Sequence, residues 1–447
     1  MQSLHSLTQL ALDIRQRRTT PSAAVADCLE RIARHDAQVL AWVALDAEGA
    51  RQTAAQYTAQ AAAGSLRGPL HGVPMAIKDI IDVKGMPTRG GSALTSAAPA
   101  AADATVVARL RAAGAIILGK TATTEFACFD PCATHNPWNL AHTPGGSSSG
   151  SAAALALGMC AGALGSQTGG SITRPASYCG VAGLKPTFGR VSRAGVLAVS
   201  FHLDHVGPMA RTVADCRLLL GLIAGDDPRD PAVAPLAALL TSPSPERPRL
   251  GIVRRYFFDS ADAEVADLTE QALRTLAGQG ADLVNLDLPE GFDKVHAMHR
   301  RIMAVEAADF HRQTFGAPRA GYGPNLAGLL EEGFGTSMAD YQAALRQQTG
   351  FANAVNRLLE GIDALVTPAT PSAAPQGLGS TGDPRFNSPW SYAGVPTVSF
   401  PFTLTGAGLP IALQLVGPAW SEERLTAAAM WCEEKLPFSA EPALAGA

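Results

Sequence analysis

Charge is scarce in this sequence and is not concentrated anywhere along it. Asp, Glu, Lys and Arg make up 17% of the 447 residues, and the formal net charge is −4. Proteins that bind a phosphate backbone usually carry a basic stripe, so the scattered Lys and Arg argue against nucleic acid as a direct ligand. Hydrophobic residues make up 47% of the chain, which is enough for a large core and indicates a globular protein.

Cysteine is also sparse, and no segment has the pattern of a secretory signal or a membrane span. The seven cysteines are odd in number and widely spaced, which argues against a disulfide framework and indicates free thiols in a reducing compartment. The N-terminal residues lack the charged and then apolar order of a signal peptide. The longest apolar run, 152–164, is short for a span and contains two glycines, so we interpret it as a buried helix. These features predict a cytoplasmic protein that has no contact with a membrane.

Patterns of metal ligands are missing as well. His202 and His205 have no third ligand nearby, and Cys128 and Cys132 have no matching second pair. We therefore predict that the protein holds no metal ion.

No linker-like segment divides the chain, so we predict one domain over 1–447. Residues 1–60 have a helical pattern and form an N-terminal arm. Over 65–215, short runs of β-branched residues alternate with loops rich in Gly, Pro and Ser. This pattern is typical of the part of an α/β protein that carries its functional residues. Helix and strand patterns alternate through 225–345, and 360–447 ends in two strands and a helix. The pattern predicts an α/β/α sandwich in which helices flank a large mixed sheet.

Two short motifs match known signatures but lack the structure that those signatures need. GAIILGKT (114–121) fits the phosphate-binding loop, yet its four central residues form an apolar strand rather than a loop. GSSSG (146–150) fits the nucleophile elbow with Ser148 as nucleophile, yet no buried strand precedes it and no histidine stands in an obvious base role. We reject both interpretations.

A second glycine and serine loop, GSQTGGSITRPASYCG (165–180), offers a better nucleophile. Its serine, Ser171, follows two glycines, which lets the amides of Thr168, Gly169, Gly170 and Ser171 turn toward one point, as in an oxyanion hole. Taken alone, the two glycines fit a simple tight turn better.

Longer segments carry a family resemblance over most of the chain. HGVPMAIKDIIDVKGMPTRGGS (71–92), the two glycine and serine loops, VAGLKPTFGRVSR (181–193) and LDHVGPMARTVAD (203–215) closely resemble the amidase signature family of serine hydrolases. The resemblance implies that Ser171 is the nucleophile, that Ser147 is a relay serine beside a cis peptide, and that Lys78 is the base. It also implies that neither a metal nor an organic cofactor is needed.

The surroundings of Lys78 suit a base. The apolar residues that flank it desolvate the ammonium group and lower its affinity for a proton. The alternative is a salt bridge to Asp82. Asp79 is a poor partner because adjacent strand residues point to opposite faces.

The loop around the nucleophile departs from the family pattern. Many members read D-T-G-G-S-I-R, whereas this chain has Gln167 in place of the acid, Thr173 in place of the arginine, and Arg174 one position later. This form resembles stand-alone hydrolases of small amides, some of which act on amides that carry a carboxylate. Arg174 either binds such a carboxylate or pins the loop, and the sequence leaves both open.

The family motifs do not fix the substrate pocket. We expect its walls to come from 125–142 and 290–345. The candidates by position are Phe129, Trp138, Met298 and Met303 in these segments and Tyr392 outside them, and a plain core role fits most of the five better. As substrate-binding candidates we name Arg174, Gln167, Thr124 and Trp138. Related enzymes accept amides, anilides, esters and carbamates, so the expected partner is a small-molecule amide, and urethane cleavage stays open.

Two alternatives to a stand-alone amidase remain. The A subunit of the glutamine-dependent aminoacyl-tRNA amidotransferase shares the GRVSR and LD..GP stretches, but the changes at Gln167 and Thr173 and the segment NSPWSYAG (387–394) argue against it. An inactive scaffold is disfavoured because all three catalytic positions are filled. A homodimer stays open as the assembly.

Overall fold

One mixed β-sheet draws its strands from almost the whole chain. The computed structural model describes residues 6–234, 247–316 and 321–446. In the described residues the sheet has eleven strands in the order β1-β3-β2-β4-β6-β5-β10-β11-β9-β7-β8. The strands are β1 Trp42–Leu45, β2 Pro74–Lys78, β3 Ile116–Thr121, β4 Gly162–Gln167, β5 Ala182–Lys185, β6 His205–Ala210, β7 Arg249–Ile252, β8 Asp282–Asn285, β9 Ala364–Pro368, β10 Thr397–Leu404 and β11 Pro410–Val416.

Helices cover both faces of this sheet, so the predicted α/β/α sandwich is confirmed. The helices are α1 Leu7–Arg15, α2 Pro21–Val39, α3 Ala47–Ala62, α4 Thr105–Ala112, α5 Ser149–Ala156, α6 Thr173–Cys179, α7 Val213–Ile223, α8 Ala263–Gly278, α9 Val295–Phe315, α10 Pro324–Gly335, α11 Met338–Leu358, α12 Ser388–Tyr392 and α13 Glu422–Lys435.

The alternation of side chains along β2 explains why the sheet needs cover on both sides. Met75 and Ile77 belong to one hydrophobic core, whereas Ala76 between them belongs to the core on the opposite face. Successive residues of a strand point to opposite faces, so a strand that is apolar throughout must be buried on both. Each residue of β2 is buried, including Lys78 at its end.

Strand directions change across the sheet. β2 pairs in parallel with β3 and with β4, and β7 pairs in parallel with β8 and β9. The middle of the sheet is antiparallel, from β4 through β6, β5, β10 and β11 to β9. The ends of β2 and β4 therefore lie at the same edge, where loops from both strands meet.

Two local predictions need correction. The N-terminal arm is not entirely helical, because β1 pairs with β3 and forms one edge of the sheet. The apolar run 152–164 is not one buried helix. Its first part lies in α5 and its last residues begin β4 at Gly162, and Gly158, with a positive φ of 65°, lies between the two elements.

Other local elements follow the residue types of their sequences. Thr20 caps α2, its hydroxyl accepting a hydrogen bond from the Ala23 amide at 3.1 Å, and Pro21 opens the helix. GAIILGKT contains strand β3, as its apolar centre predicts. Among the described residues, no helix has the length and hydropathy needed to cross a membrane.

Candidate active site

The two glycine and serine loops meet at the end of β2. Lys78 is the last residue of β2, and the neighbouring strand β4 ends at Gln167, immediately before the loop that carries Ser171. Ser147 lies just before α5, which packs against β2 and β4. The parallel pairing of β2 and β4 thus places all three predicted catalytic residues at one edge of the sheet.

Lys78 lies in contact with two serine hydroxyls. Its Nζ is 2.6 Å from Ser147 Oγ, 2.8 Å from Ser166 Oγ and 3.5 Å from the Ser166 carbonyl oxygen. The side chain is completely buried, and this burial lowers the pKa of Lys78 to about 7. A large fraction of the amine is therefore neutral near pH 7, the form in which it accepts a proton.

The predicted salt-bridge alternative for Lys78 is wrong. Asp82 instead accepts a hydrogen bond from the Thr88 hydroxyl at 2.7 Å. Asp79 points to the opposite side and forms a buried ion pair with Lys120 at 2.9 Å. Lys120 is the lysine of the rejected phosphate-loop motif, and its position on β3 gives it a structural partner.

The loop before α5 presents Ser147 toward Lys78. The peptide bond between Gly146 and Ser147 is cis, as the family resemblance implies. The next residues hold the loop together: Ser149 Oγ donates to the Gly145 carbonyl at 2.7 Å. Ser148 takes the first position before α5 without a side-chain capping bond, and its environment gives no support to the nucleophile-elbow interpretation.

The Ser171 loop lies directly against the Ser147 loop. The Ser148 amide donates to the Ser171 carbonyl at 3.2 Å. Within the described part of the chain, the hydroxyls of Ser147 and Ser171 are not hydrogen-bonded to each other, and the amides of Gly169, Gly170 and Ser171 donate to no other group. Bonds between catalytic groups are often long in unliganded enzymes. The loop therefore offers a row of unengaged N–H donors beside a partly exposed serine.

Polar side chains hold the carbonyl groups of the same loop. His299 Nε2 lies 2.9 Å from the Thr168 carbonyl oxygen, and Ser391 Oγ donates to the Gly169 carbonyl at 2.6 Å. The Thr168 hydroxyl donates to Asp204 at 2.6 Å. With their carbonyls fixed in this way, the peptide units cannot easily rotate, which keeps the amides in place.

Gln167 supports the loop from inside rather than facing a ligand. Its Oε1 accepts hydrogen bonds from the amides of Ile172 and Thr173 at 2.8 and 3.0 Å, and lies 3.2 Å from the Thr173 hydroxyl. Its Nε2 donates to Ser391 Oγ at 3.1 Å. The two positions that differ from the family pattern, 167 and 173, therefore interact with each other through a neutral hydrogen bond.

Arg174 also makes structural contacts. Its guanidinium donates to the carbonyls of Gly146 and Gly382 at 2.8 and 2.9 Å, and to the Thr381 hydroxyl at 3.1 Å. The side chain is buried, and burial lowers the pKa of Arg174. These bonds fit the interpretation in which Arg174 pins the loop. Arg174 also lines the cavity that opens beside Ser171.

A cavity of about 740 Å³ opens beside Ser171. Its wall combines the loop 168–171 with residues from α9 and from the segment after β3. Apolar and aromatic side chains include Phe129 and Met303, and polar ones include His296, His299 and Arg300. A wall that combines apolar side chains with a few polar groups is typical of small-molecule sites.

Some of the proposed pocket residues lie elsewhere. Trp138 donates its indole N–H to the Cys179 carbonyl at 2.8 Å and packs against Phe438, outside the cavity lining. Tyr392 is buried in the core, and Met298 packs against the core without lining the cavity. Thr124 is buried, and its hydroxyl donates to the Cys128 carbonyl at 2.7 Å. Of the five pocket candidates, Phe129 and Met303 alone line it.

Sequence reasoning missed four residues that contact the site: Ser166, Asp204, His299 and Ser391. Ser166 and Asp204 stand inside or beside recognisable motifs, and a polar residue in an apolar strand such as β4 is a signal that sequence reasoning can use. His299 and Ser391 come from distant segments, and their positions depend on tertiary packing alone.

Comparisons with known proteins agree on one family. Residues 23–426 match the Amidase family. The A subunit of glutamyl-tRNA(Gln) amidotransferase from Anaeromyxobacter sp. (strain K) is 38% identical over 467 residues, covering 94% of each chain. Peptide amidase from Stenotrophomonas maltophilia has a similar structure, with a TM-score of 0.85, 30% identity and 98% coverage of each chain. The A subunit of glutamyl-tRNA(Gln) amidotransferase from Thermotoga maritima gives a TM-score of 0.79 at 29% identity, covering 96% of this chain and 98% of that one. The chain belongs to the amidase family, whose enzymes hydrolyse C–N bonds.

Proposed function

We propose that this protein, acting alone, hydrolyses small amides through an acyl-enzyme on Ser171. The observation that carries the proposal is the 2.6 Å contact between the buried Lys78 Nζ and Ser147 Oγ, next to the loop of Ser171. Neutral Lys78 takes a proton from Ser147, and Ser147 takes one from Ser171. Ser171 Oγ then attacks the carbonyl carbon.

The remaining steps use groups of the same two loops. The amides of Thr168, Gly169, Gly170 and Ser171 stabilise the oxyanion that forms on the carbonyl oxygen. The proton held by Lys78 returns through Ser147 to the leaving nitrogen, and the C–N bond breaks. A water molecule then attacks the acyl-enzyme and releases the acid, which restores Ser171.

The cavity supports a small and partly apolar substrate. Its volume of about 740 Å³ and the side chains of Phe129 and Met303 suit a compact acyl group. The same acyl-enzyme chemistry would cleave anilides, esters and carbamates, since each offers a carbonyl carbon to Ser171.

The A subunit of a tRNA-dependent amidotransferase is the second candidate. The 38% identity over 94% of both chains favours it. Two observations favour the stand-alone enzyme: the peptide amidase structure superposes with the higher TM-score, 0.85 against 0.79, and Gln167 and Thr173 form a neutral pair inside the nucleophile loop.

Release of amine or ammonia by the purified chain distinguishes the candidates. The substrates are a neutral anilide, a small amide with a carboxylate, a carbamate and glutamine. Ser171→Ala is the inactive blank, and Ser149→Ala is the matched control, a buried serine of the Ser147 loop that bonds the Gly145 carbonyl instead of Lys78. Turnover of any of the first three that is lost in the blank supports the proposal. Release from glutamine alone, or only after partner proteins are added, overturns it in favour of the amidotransferase.

A further inference from the structure

His299 contributes a buried imidazole to the wall of the active-site cavity. It lies on α9, its side chain is 6% exposed, and it lines the cavity together with Met303, one helical turn further along the same face. The residue thus places a polar ring in the cavity wall, next to the apolar side chain of Met303.

The hydrogen bond to Thr168 fixes which ring nitrogen carries the proton. His299 Nε2 lies 2.9 Å from the Thr168 carbonyl oxygen, which can only accept, so Nε2 is the N–H. Burial lowers the pKa of His299 to about 4, so the ring is neutral near pH 7. Nδ1 consequently carries a lone pair, and it has no partner among the described residues.

His296, which lines the same cavity, makes a useful contrast. Its Nε2 lies 2.6 Å from the Tyr256 hydroxyl and its Nδ1 lies 3.2 Å from Ser388 Oγ, so both nitrogens are engaged within the protein. Of these two histidines, His299 is the one whose Nδ1 can still accept a hydrogen bond from a ligand.

The ring of His299 lies next to the loop that carries Ser171. A Cβ atom added to Gly169 would lie 3.6 Å from His299 Cε1, the ring carbon bonded to both nitrogens. His299 Nε2 lies 3.9 Å from the same point, and Nδ1, bonded to Cε1, lies at least as far from the loop that, in the proposed function, holds the substrate carbonyl. In that mechanism the leaving nitrogen faces Ser147, so the group that packs against α9 is the acyl group.

We propose that His299 is a specificity-determining residue whose Nδ1 accepts a hydrogen bond from an O–H or N–H group on the acyl side of the substrate, close to the scissile carbonyl. The preferred substrates are then amides of acids with a hydroxyl, amino or ureido donor next to the carbonyl. This inference rests on the proposed function only for the orientation of the substrate.

Hydroxyacetanilide and methoxyacetanilide form the test pair, because methylation of the hydroxyl removes the donor from the acyl group, and His299→Gln shows how much of the difference comes from the added methyl group. Binding is measured by calorimetry in Ser171→Ala, and turnover in the active enzyme. We expect Ser171→Ala to bind hydroxyacetanilide about 10-fold more tightly, and the active enzyme to show the same ratio in KM with similar kcat.

His299→Gln should abolish this preference. Its side-chain amide still donates to the Thr168 carbonyl, but its own acceptor, Oε1, is not fixed at the place of Nδ1, so the loop is kept while the ratio of affinities falls toward one. His296→Gln is the matched control and should keep the ratio, whatever its effect on rate. Equal affinities in Ser171→Ala, no binding of either anilide, or an unchanged ratio in His299→Gln would each overturn the proposal.

A crystal structure of Ser171→Ala with hydroxyacetanilide decides the matter if His299→Gln fails to fold. The substrate hydroxyl should lie within hydrogen-bond distance of Nδ1, and any other position refutes the inference. A binding preference without aniline release by the active chain would leave the role of His299 intact and refute the proposed hydrolysis.

Discussion

Lys78 Nζ lies 2.6 Å from Ser147 Oγ, and in the described part of the chain it forms no ion pair with a carboxylate. The nearby carboxylates are committed elsewhere: Asp79 to Lys120, and Asp82 to Thr88. Burial outweighs the Coulombic attraction of Asp204 and brings the pKa of Lys78 to about 7. This arrangement leaves a lysine that can accept a proton near neutral pH.

The first prediction is a rise of kcat/KM with pH. Lys78 must be neutral to accept a proton, so activity should increase through pH 7, the approximate pKa of Lys78, and level off above it. The measurement is kcat/KM for a neutral anilide from pH 5 to pH 9. Lys78→Arg should lose about 10²–10⁴-fold at every pH, because an arginine stays protonated. A flat profile, or one that falls through pH 7, would show that another group is the base.

The second prediction concerns the support of the nucleophile loop. Gln167→Met should destabilise the protein by about 1–3 kcal/mol, because it leaves the buried amides of Ile172 and Thr173 without an acceptor. Urea unfolding measures the change. Gln52→Met is the control, since Gln52 is exposed and bonds only to Glu48, and its effect should stay within about 0.5 kcal/mol. Equal effects of the two substitutions would contradict a structural role for Gln167.

The sequence allowed the meeting of the three candidate catalytic residues to be predicted because these residues lie in local motifs. Lys78 stands in an apolar strand, and each of the two serines stands in its own glycine-rich loop, so the family resemblance assigns them by position. The structure brings Lys78 and Ser147 into contact, and it places the Ser171 loop against them.

The cavity wall was much less predictable. Phe129 and Met303 face the cavity, whereas Trp138, an equally plausible candidate by its position in the chain, packs against Phe438. The difference depends on how α9 packs against α10, α11 and α12, which neither the periodicity of α9 nor any motif specifies. His299 was missed for the same reason, since a lone histidine in a helix gives no sign of what it faces.

The third prediction separates the two interpretations of Arg174. Its guanidinium bonds the carbonyls of Gly146 and Gly382 at the same time, which a single lysine ammonium cannot do with the same geometry. Arg174→Lys should therefore lower kcat/KM by a similar factor, about 10-fold, for a neutral amide and for a carboxylated one. The ratio of the two kcat/KM values is the measurement. A loss confined to the carboxylated amide would instead assign Arg174 to substrate recognition.

The fourth prediction compares a residue inside the cavity with one outside it. Met303→Ala removes part of the apolar wall, so KM for an anilide with a branched alkyl acyl group should rise about 10-fold. Trp138→Phe removes the indole N–H that bonds the Cys179 carbonyl, and it should cost about 1 kcal/mol of stability without changing KM. Steady-state kinetics and urea unfolding of both variants are the measurements. If KM changes in Trp138→Phe but not in Met303→Ala, the acyl group binds near Trp138 instead of near α9.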